Sequence, residues 1–306
     1  MPHQPSLADA AANLSELFQR AGQKTTTSEQ DLVMVSRQML RLLAAPLLEQ
    51  MGLPQTTSSV ALLDNACGTG VVTQEVQSAL AVEVLRRSRF MCADSSEAMI
   101  GLVRKRAAAE GWVNVEARVA DARDSGLPAD SFSHVAVALG LHIIPDPDAV
   151  IEDCRRMLRP GGIFGATTFP QRNGQMFWYP DMRSAFASLP FPTPPLPDTM
   201  PMQMHSSGRW DDAAWVEQHL RKRHGLAGVT VRTVGGRWRV EDAGEFVAAF
   251  GVMLPWLMAT WWDEETRMEH PVDKVRELVR RHLAEKHGGG GWEVEWEVLS
   301  MTGVEP

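Results

Sequence analysis

The sequence predicts an α/β fold: a doubly wound, mainly parallel sheet of seven strands, with helices before the sheet and a helical and loop insertion in the second half of the chain. Between residues 59 and 169, short apolar runs alternate with helical patterns. Alternation of this kind is typical of βαβ units with right-handed crossovers. Three of the apolar runs end in an aspartate, which predicts acidic groups at the carboxyl edge of the sheet.

Apolar runs with flanking turn residues predict the seven strands at 59–64, 89–94, 115–121, 134–140, 163–169, 229–234 and 292–304. Amphipathic patterns predict helices within the first 50 residues and at 70–80, 96–110, 146–160, 211–225, 241–262 and 263–287. Ser95 or Ser96 is placed to cap the helix at 96–110. Residues 170–209 contain a proline-rich run, and because proline lacks a backbone donor we expect that run to be irregular.

These elements predict one structural domain with three parts. An N-terminal helical cap covers residues 1–58, and the core with the acidic strand ends covers 59–169. Residues 170–306 supply a substrate-binding insertion, lid helices and the C-terminal strands that complete the sheet.

The composition argues against several classes of partner. Thirty Lys and Arg against 38 Asp and Glu give a net charge of −8, whereas nucleic acids and anionic membranes require a basic surface. The N-terminal residues lack a secretory signal pattern, and the apolar segment 246–262 is interrupted by Gly251 and Pro255, which favours a buried or pocket-lining helix. Three scattered cysteines form neither a disulfide framework nor a zinc pattern. We therefore expect a cytoplasmic protein with a small-molecule substrate, no metal and no obligate protein partner.

The segment that indicates chemistry is LDNACGTG at 63–70, between the first strand and its helix. Gly68 and Gly70 remove the Cβ atoms that would keep a ligand from the turn, and Asp64 offers a carboxylate to an ammonium group. Asp94 ends the next strand, where an acid can accept ribose hydroxyls, and Asp121 ends the third strand, beside an expected adenine amino group. Each acid alone could equally be a helix cap or a turn residue.

Two cofactors compete for this pattern. A dinucleotide fingerprint requires a third glycine, and Thr73 stands at that position. The missing glycine, together with VALGLHIIPD at 137–146, favours S-adenosylmethionine over NAD.

With these motifs, residues 59–169 resemble the Rossmann-like class I methyltransferases that use S-adenosylmethionine. The resemblance lies in LLDNACGTG, MCADSSEAM, VADARDSGLPADSFSHVAVALGLHIIPD and LRPGGIF. Nearly the whole chain resembles the fungal gliotoxin thiomethyltransferase type, which S-methylates dithiol diketopiperazines. The features shared with that type are LDNACG, EGWVN, LPFPT and TWWDEE.

The resemblance implies a set of cofactor-binding positions along the strand ends, with S-adenosylhomocysteine as the product. Asp64, Gly68 and Gly70 would hold the methionine part. Cys67 and Ala66, which replaces the first glycine of the general family motif, belong to the same cofactor-binding set. Asp94 would bind the ribose, and Asp121 with Ala122 the adenine. The resemblance also implies that Ser95 and Met99 lie near the ribose and adenine. Leu139 or Gly140 would lie beside the methyl-bearing sulfur.

His142 lies two residues beyond Gly140 and is the candidate general base, although it could equally cap the turn before Ile143. Aromatic and methionine side chains cluster in the second half of the chain and predict an apolar substrate pocket, with core packing of a helical lid as the alternative. The predicted substrate contacts are Phe169, Trp178, Met253, Trp256 and Trp261. The same cluster includes Met176, Phe177, Tyr179, Met258 and Trp262.

The activity that the resemblance implies is S-methylation of a small-molecule thiol or dithiol, such as a reduced epipolythiodiketopiperazine, in fungal secondary metabolism or self-protection. Two alternatives stay open. The acceptor could be an oxygen or nitrogen atom of another secondary metabolite, or the fold could serve a non-methylating role such as that of a pericyclase.

Overall fold

The computed structural model describes residues 6–19, 29–170, 178–201 and 203–306. Its sheet has seven strands in the order β3-β2-β1-β4-β5-β7-β6, which confirms the predicted fold class. The strands are β1 (Ala61–Asn65), β2 (Arg89–Asp94), β3 (Val115–Val119), β4 (Phe132–Ala138), β5 (Leu158–Thr168), β6 (Ala227–Val240) and β7 (Trp292–Val304).

The register of the sheet aligns the strand ends that the sequence singles out. Strands β1 to β5 pair in parallel, with Asn65 opposite Ala93 and Asp94 opposite Val119. β7 joins β5 antiparallel. The order reverses between β1 and β4, and in open α/β sheets ligands bind at the carboxyl ends of the strands at such a switch point.

Several of the helices begin at a side chain that caps the first turn. Ser96 accepts a hydrogen bond from the Met99 amide at the start of α6, and Asp146 caps α7 in the same way. The helices are α1 (Leu7–Gln19), α2 (Glu29–Val35), α3 (Arg41–Gln50), α4 (Val71–Ala79), α5 (Val82–Arg87), α6 (Glu97–Glu110), α7 (Pro147–Met157), α8 (Tyr179–Ala187), α9 (Ala213–Lys222), α10 (Ala243–Phe250), α11 (Leu254–Trp261), α12 (Glu264–Glu269) and α13 (Val272–Lys286).

Several elements differ from the sequence prediction. The helix predicted over 241–262 is interrupted by a 3-10 turn, Gly251–Met253, and the helix predicted over 263–287 stops at His270 before Pro271. Proline explains both new starts, because Pro255 lies in the first turn of α11 and Pro271 is the N-cap of α13, where no amide partner is needed. Proline starts α8 in the same way through Pro180, inside the segment expected to be irregular.

The described residues group into two compact units. Unit 1 comprises residues 1–38, 171–204 and 235–297, and unit 2 comprises 39–170, 205–234 and 298–306. In unit 2, Leu47 of α3 and Val72 of α4 belong to one core cluster with Leu62 of β1. Ile151 of α7 and Leu220 of α9 belong to a second cluster with Leu63 of β1. In unit 1, the largest fully buried side chains are aromatic: Tyr179, Phe246, Phe250 and Trp256.

The helical stretch Ala243–Trp261 is long and apolar enough to span a membrane by length and composition alone. About two thirds of its most apolar window, 67%, is buried inside the protein, as in the core helix of a soluble domain. This stretch is therefore weak evidence for a membrane span.

Candidate active site

The turn between β1 and α4 follows the predicted glycine pattern and adds a strained residue to it. Gly68 and Gly70 have φ angles of +51° and +79°, and Gly70 is the N-cap of α4. A Cβ at Gly70 would lie 3.3 Å from the Trp112 ring, whereas one at Gly68 would meet nothing within 4 Å. Ala66 also has a positive φ, +53°. The turn is thus left-handed at three positions, with open space beside Gly68.

Asp64 is buried beneath this turn and binds the first turn of α4. Its Oδ2 accepts hydrogen bonds from the Thr73 amide, at 3.1 Å, and from Thr73 Oγ1, at 3.0 Å. Thr73 Oγ1 in turn lies 3.1 Å from Cys92 Sγ on β2. Burial raises the pKa of Asp64 to about 7, with the Thr73 hydrogen bonds opposing and the neighbouring Asp94 adding to the rise. Thr73, which interrupts the dinucleotide fingerprint, is thus the partner that orients Asp64.

Asp94, the last residue of β2, joins two loops. Its Oδ2 accepts a hydrogen bond from the Gly68 amide at 2.8 Å, and its Oδ1 accepts one from the Ser96 amide at 2.9 Å. Burial raises its pKa, and the two backbone hydrogen bonds oppose that rise. Of the two serines predicted to cap α6, Ser96 does so, and Ser95 is exposed. Met99 is buried in the first turn of the same helix.

Asp121 lies two residues beyond the end of β3 and is paired with a neighbour. Its carboxylate binds the Arg123 guanidinium through contacts of 2.6 and 3.0 Å, and this pairing lowers the pKa of Asp121. The side chain is about half exposed, while the adjacent Ala122 is buried. The Ala120 amide donates to the carbonyl of Asp94 at 3.0 Å, so the ends of β2 and β3 lie side by side.

The loop after β4 lies at the switch point of the strand order, next to the turn after β1. We call the space between these strand ends the crevice. Leu139 has a φ of +56°, and its amide donates to the carbonyl and the side-chain oxygen of Thr167 on β5. A Cβ at Gly140 would lie 2.8 Å from Val137 Cγ1 and 3.5 Å from the Ala66 Cβ. Gly140 therefore lies against the β1 turn, which brings the predicted sulfur-facing residues next to Ala66.

His142 is buried in the loop that follows Gly140. Its ring packs edge-on against Phe169 at 5.2 Å, and its Nδ1 has no hydrogen-bond partner among the described residues. Burial lowers the pKa of His142 to about 3, and the charge of His205 adds to this effect. The imidazole is therefore neutral near neutral pH and a weak proton acceptor.

The other predicted substrate contacts lie in unit 1. Trp178 is buried and stacks on Phe250 at 6.3 Å, and Trp256 is buried with its Nε1 donating to the Ala10 carbonyl at 2.9 Å. The described contacts of these two tryptophans are those of core residues. Met253 and Trp261 are only partly buried. Met176 and Phe177 lie outside the described residues.

Arg106 is a site residue that the sequence analysis missed. It is buried in α6, donates to the Thr69 carbonyl of the glycine turn at 2.6 Å, and pairs with Glu110 at 2.8 Å. Its guanidinium lies over the Trp112 ring, 5.0 Å from the centroid, and that ring packs against Gly70. The EGWVN segment therefore supports the turn from below. Its signal in the sequence was the i, i+4 pair of Arg106 and Glu110 on α6.

These residues fit S-adenosylmethionine. The buried Asp64 and the partly buried Asp94 flank a left-handed turn with open space at Gly68. The buried Thr69 Oγ1 beside the turn has no hydrogen-bond partner among the described residues. Carboxylates suit the ammonium and ribose hydroxyls of this cofactor, and a glycine turn at a helix start lets its backbone approach closely.

The strain at Ala66 leads to a stability prediction. A left-handed φ costs an alanine about 1–2 kcal/mol, whereas glycine loses about 0.5–1 kcal/mol through its unfolded-state entropy. We expect Ala66→Gly to raise the free energy of unfolding by about 0.5 kcal/mol. Ala108→Gly, on the exposed side of α6, should lower it by about 1 kcal/mol. Urea denaturation measures both, and a destabilised Ala66→Gly variant would show that the turn is not strained there.

The raised pKa of Asp64 leads to a pH prediction for the ligand-free chain. The pKa is about 7 in the folded protein and 3.8 without its surroundings, so the folded chain holds a proton that the unfolded chain has lost in this window. The free energy of unfolding therefore falls as the pH rises from about 4 to 7. Asp64→Asn removes this titration. Between pH 5 and pH 8, the free energy of unfolding of this variant should therefore rise by on the order of 2 kcal/mol relative to that of the parent.

Asp121→Asn is the control for this pH dependence. Arg123 lowers the pKa of Asp121, so this carboxyl titrates below the tested range. The difference in unfolding free energy between Asp121→Asn and the parent should therefore be the same at pH 5 and pH 8. Denaturant unfolding at the two pH values measures all three proteins. If the difference in unfolding free energy between Asp64→Asn and the parent is the same at both pH values, the raised pKa of the buried Asp64 carboxyl is refuted.

Comparisons with known proteins agree with the geometry. A family model described as a methyltransferase domain matches residues 62–162. Methyltransferase tpcH of Aspergillus fumigatus is 31% identical over 234 residues, which cover 75% of this chain and 79% of that protein. The acetylaranotin bis-thiomethyltransferase of Aspergillus terreus is 25% identical over 262 residues, 85% of this chain and 88% of that protein.

Among solved structures, the YcgJ protein of Bacillus subtilis is 13% identical and aligns with a TM-score of 0.48, over 85% of this chain and 98% of that protein. The relative from Aspergillus fumigatus, similar over most of both chains, establishes the family. The chain is a member of the class I S-adenosylmethionine-dependent methyltransferases.

Proposed function

We propose that this methyltransferase acts on a thiol or dithiol of a small natural product, such as a reduced epipolythiodiketopiperazine, in fungal secondary metabolism or self-protection. The observation that carries the proposal is the environment of His142: the ring is buried, its Nδ1 has no hydrogen-bond partner among the described residues, and burial lowers its pKa to about 3. A base so weak favours a nucleophile that ionises without help. Similarity to the acetylaranotin bis-thiomethyltransferase over 85% of this chain supports the same acceptor class.

The cofactor, when bound, supplies a methyl group that is already activated as a sulfonium. The residues of the crevice then have a positioning role. Asp94 is proposed to accept the ribose hydroxyls while it keeps its hydrogen bonds to the Gly68 and Ser96 amides. The turn at Gly68 and Gly70 is proposed to hold the amino acid part, and Leu139 and Gly140 are proposed to lie beside the sulfur.

The choice of acceptor follows from proton chemistry. A thiol has an ordinary pKa of about 8.5, so a reactive fraction of thiolate exists near neutral pH. An alcohol or phenol needs a positioned base, and the candidate base in this crevice is neutral and weakly basic. His142 is therefore proposed to shape the apolar wall with Phe169, at an edge-on distance of 5.2 Å, and not to remove a proton.

The proposed substrate contacts are those predicted residues whose side chains are partly exposed. In unit 2, Phe169 beside His142 is the proposed substrate contact. Of the residues predicted in unit 1, Met253 and Trp261 are partly exposed. Trp178 and Trp256 contribute instead to the aromatic core of unit 1. We propose a cytoplasmic location, since the three described cysteines are all free and buried thiols.

Asp94→Ala tests the cofactor assignment. Loss of the carboxylate removes the proposed ribose acceptor and also frees the Gly68 amide, so we expect the dissociation constant of S-adenosylmethionine to rise about 10- to 100-fold, or about 1.5–3 kcal/mol. Glu116→Ala, which removes an exposed acid from the neighbouring strand β3, should bind normally. Calorimetric titration of the folded variants measures both, and unchanged affinity of Asp94→Ala would remove Asp94 from the site.

His142→Gln tests the acceptor assignment. Because a thiol supplies its own nucleophile, turnover on a reduced dithiol diketopiperazine should stay within about tenfold of the parent, which is less than about 1.4 kcal/mol of barrier. Loss of a required general base would cost about a hundredfold or more. His134→Gln is the matched control, because His134 is partly buried with its pKa also lowered by burial, to about 4, near the opposite end of β4.

The same assay should include a phenol of similar shape. The parent is expected to prefer the thiol, with product mass and fragmentation locating the new methyl group on sulfur. Preference for the phenol would favour an O-methyltransferase. Cofactor binding without methylation of any thiol, phenol or amine supplied would favour a non-methylating role for the fold.

A further inference from the structure

Three potential metal ligands converge in unit 2, apart from the residues of the cofactor crevice. Asp148 lies in the first turn of α7, His219 lies on α9, and His224 lies just beyond the end of α9. The Nε2 atoms of His219 and His224 lie 2.6 and 2.9 Å from the same oxygen, Oδ1 of Asp148. All three candidate ligand atoms lie within 4.8 Å of one another.

Packing fixes the two imidazole rings in this arrangement. His219 stacks on Trp215 at 4.2 Å with an interplanar angle of 17° and meets Trp210 edge-on at 5.6 Å. His224 is buried and meets the His219 ring edge-on at 5.1 Å. Ligands held in place by their own packing lose little entropy when they bind an ion.

The donor set matches that of zinc and related ions. Two neutral imidazoles and one carboxylate are the protein ligands of many four-coordinate zinc sites, with Zn–N and Zn–O distances of about 2.0–2.2 Å. Such an ion would hold the ligand atoms about 3.3 Å apart. The observed separations of 2.6 and 2.9 Å must therefore widen by about half an ångström, which rotation of the partly exposed Asp148 carboxylate can provide. The exposed side of Asp148 leaves room for water as a fourth ligand.

We propose that Asp148, His219 and His224 form a binding site for a divalent transition metal ion, with Zn²⁺ as its occupant. The ion would join α7 to the segment 213–224 and stabilise unit 2, with no part in methyl transfer. The sequence analysis found no metal pattern because Asp148 and His219 are 71 residues apart and meet only in the folded chain.

Calorimetric titration of the full chain with zinc chloride, after treatment with a chelator and desalting, tests the site. The parent should bind one Zn²⁺ per chain with a dissociation constant of about 1 µM or below. Asp148→Asn and His219→Gln should each bind at least about tenfold more weakly. Glu152→Gln is the matched control: it removes another acid from α7, one that pairs with Arg223 at 3.0 Å, and it should bind as the parent does.

Thermal unfolding provides a second readout that does not depend on activity. Excess zinc should raise the Tm of the parent and of Glu152→Gln by about 3–6 °C and leave that of the two ligand variants within about 1 °C. If Asp148→Asn fails to fold, His219→Gln, at a partly exposed position, gives the same comparison. The absence of saturable binding below about 100 µM in the parent would overturn the proposal. Ligand variants that keep the parent's affinity would also overturn it, as would equal loss in Glu152→Gln. The three side chains would then form a hydrogen-bonded link only.

Discussion

The crevice depends on one carboxylate. Asp94 accepts the Gly68 amide with one oxygen and the Ser96 amide with the other, so it fixes the loop after β1 relative to the loop after β2. Both bonds are made in a partly buried environment, where a hydrogen bond to a charged group contributes about 1.5–3 kcal/mol and an unpaired charge would be costly. The strand ends are therefore arranged as a binding edge by the protein's own contacts.

The left-handed turn requires support from the elements beneath it. Gly70 lies against the Trp112 ring, and Arg106 reaches from α6 to the Thr69 carbonyl while it pairs with Glu110. Asp64 binds Thr73 from the strand side. The positive φ angles of Ala66 and Leu139 fall on the two loops that meet at Gly140, and backbone strain of this kind commonly marks functional sites. The contacts that hold the crevice in place are thus also the contacts that keep its loops in left-handed backbone conformations.

Much of the core was predictable because each of its elements has a local signal. The strands at 89–94 and 292–304 have the predicted bounds, and the acids at 64 and 94 lie at adjacent strand ends as expected. The long late helices were predicted as continuous because hydrophobic periodicity persists through Gly251 and Pro271, whereas the backbone breaks there. Helix α8 was missed because the composition of the surrounding segment concealed the helix start at Pro180.

The sequence patterns do not predict contacts between residues that are distant along the chain. Thr73 was noted only as a departure from a glycine fingerprint, and Arg106 carried no signal beyond a helical ion pair, yet both fix the turn. Asp121 has the expected position but is paired with Arg123, a partner that only side-chain geometry shows. Patterns identify which residues reach the edge of the sheet, and packing decides what each of them binds.

Amide hydrogen exchange at Gly68 and Ser96 tests the central role of Asp94 most directly. In the ligand-free parent, both amides should be protected, because each donates to the Asp94 carboxylate. In Asp94→Ala the protection of both should be lost, while the Thr73 amide, which donates to Asp64, should keep its protection. Rapid exchange at Gly68 and Ser96 in the parent, or unchanged protection in the variant, would contradict the account of a crevice held together by Asp94.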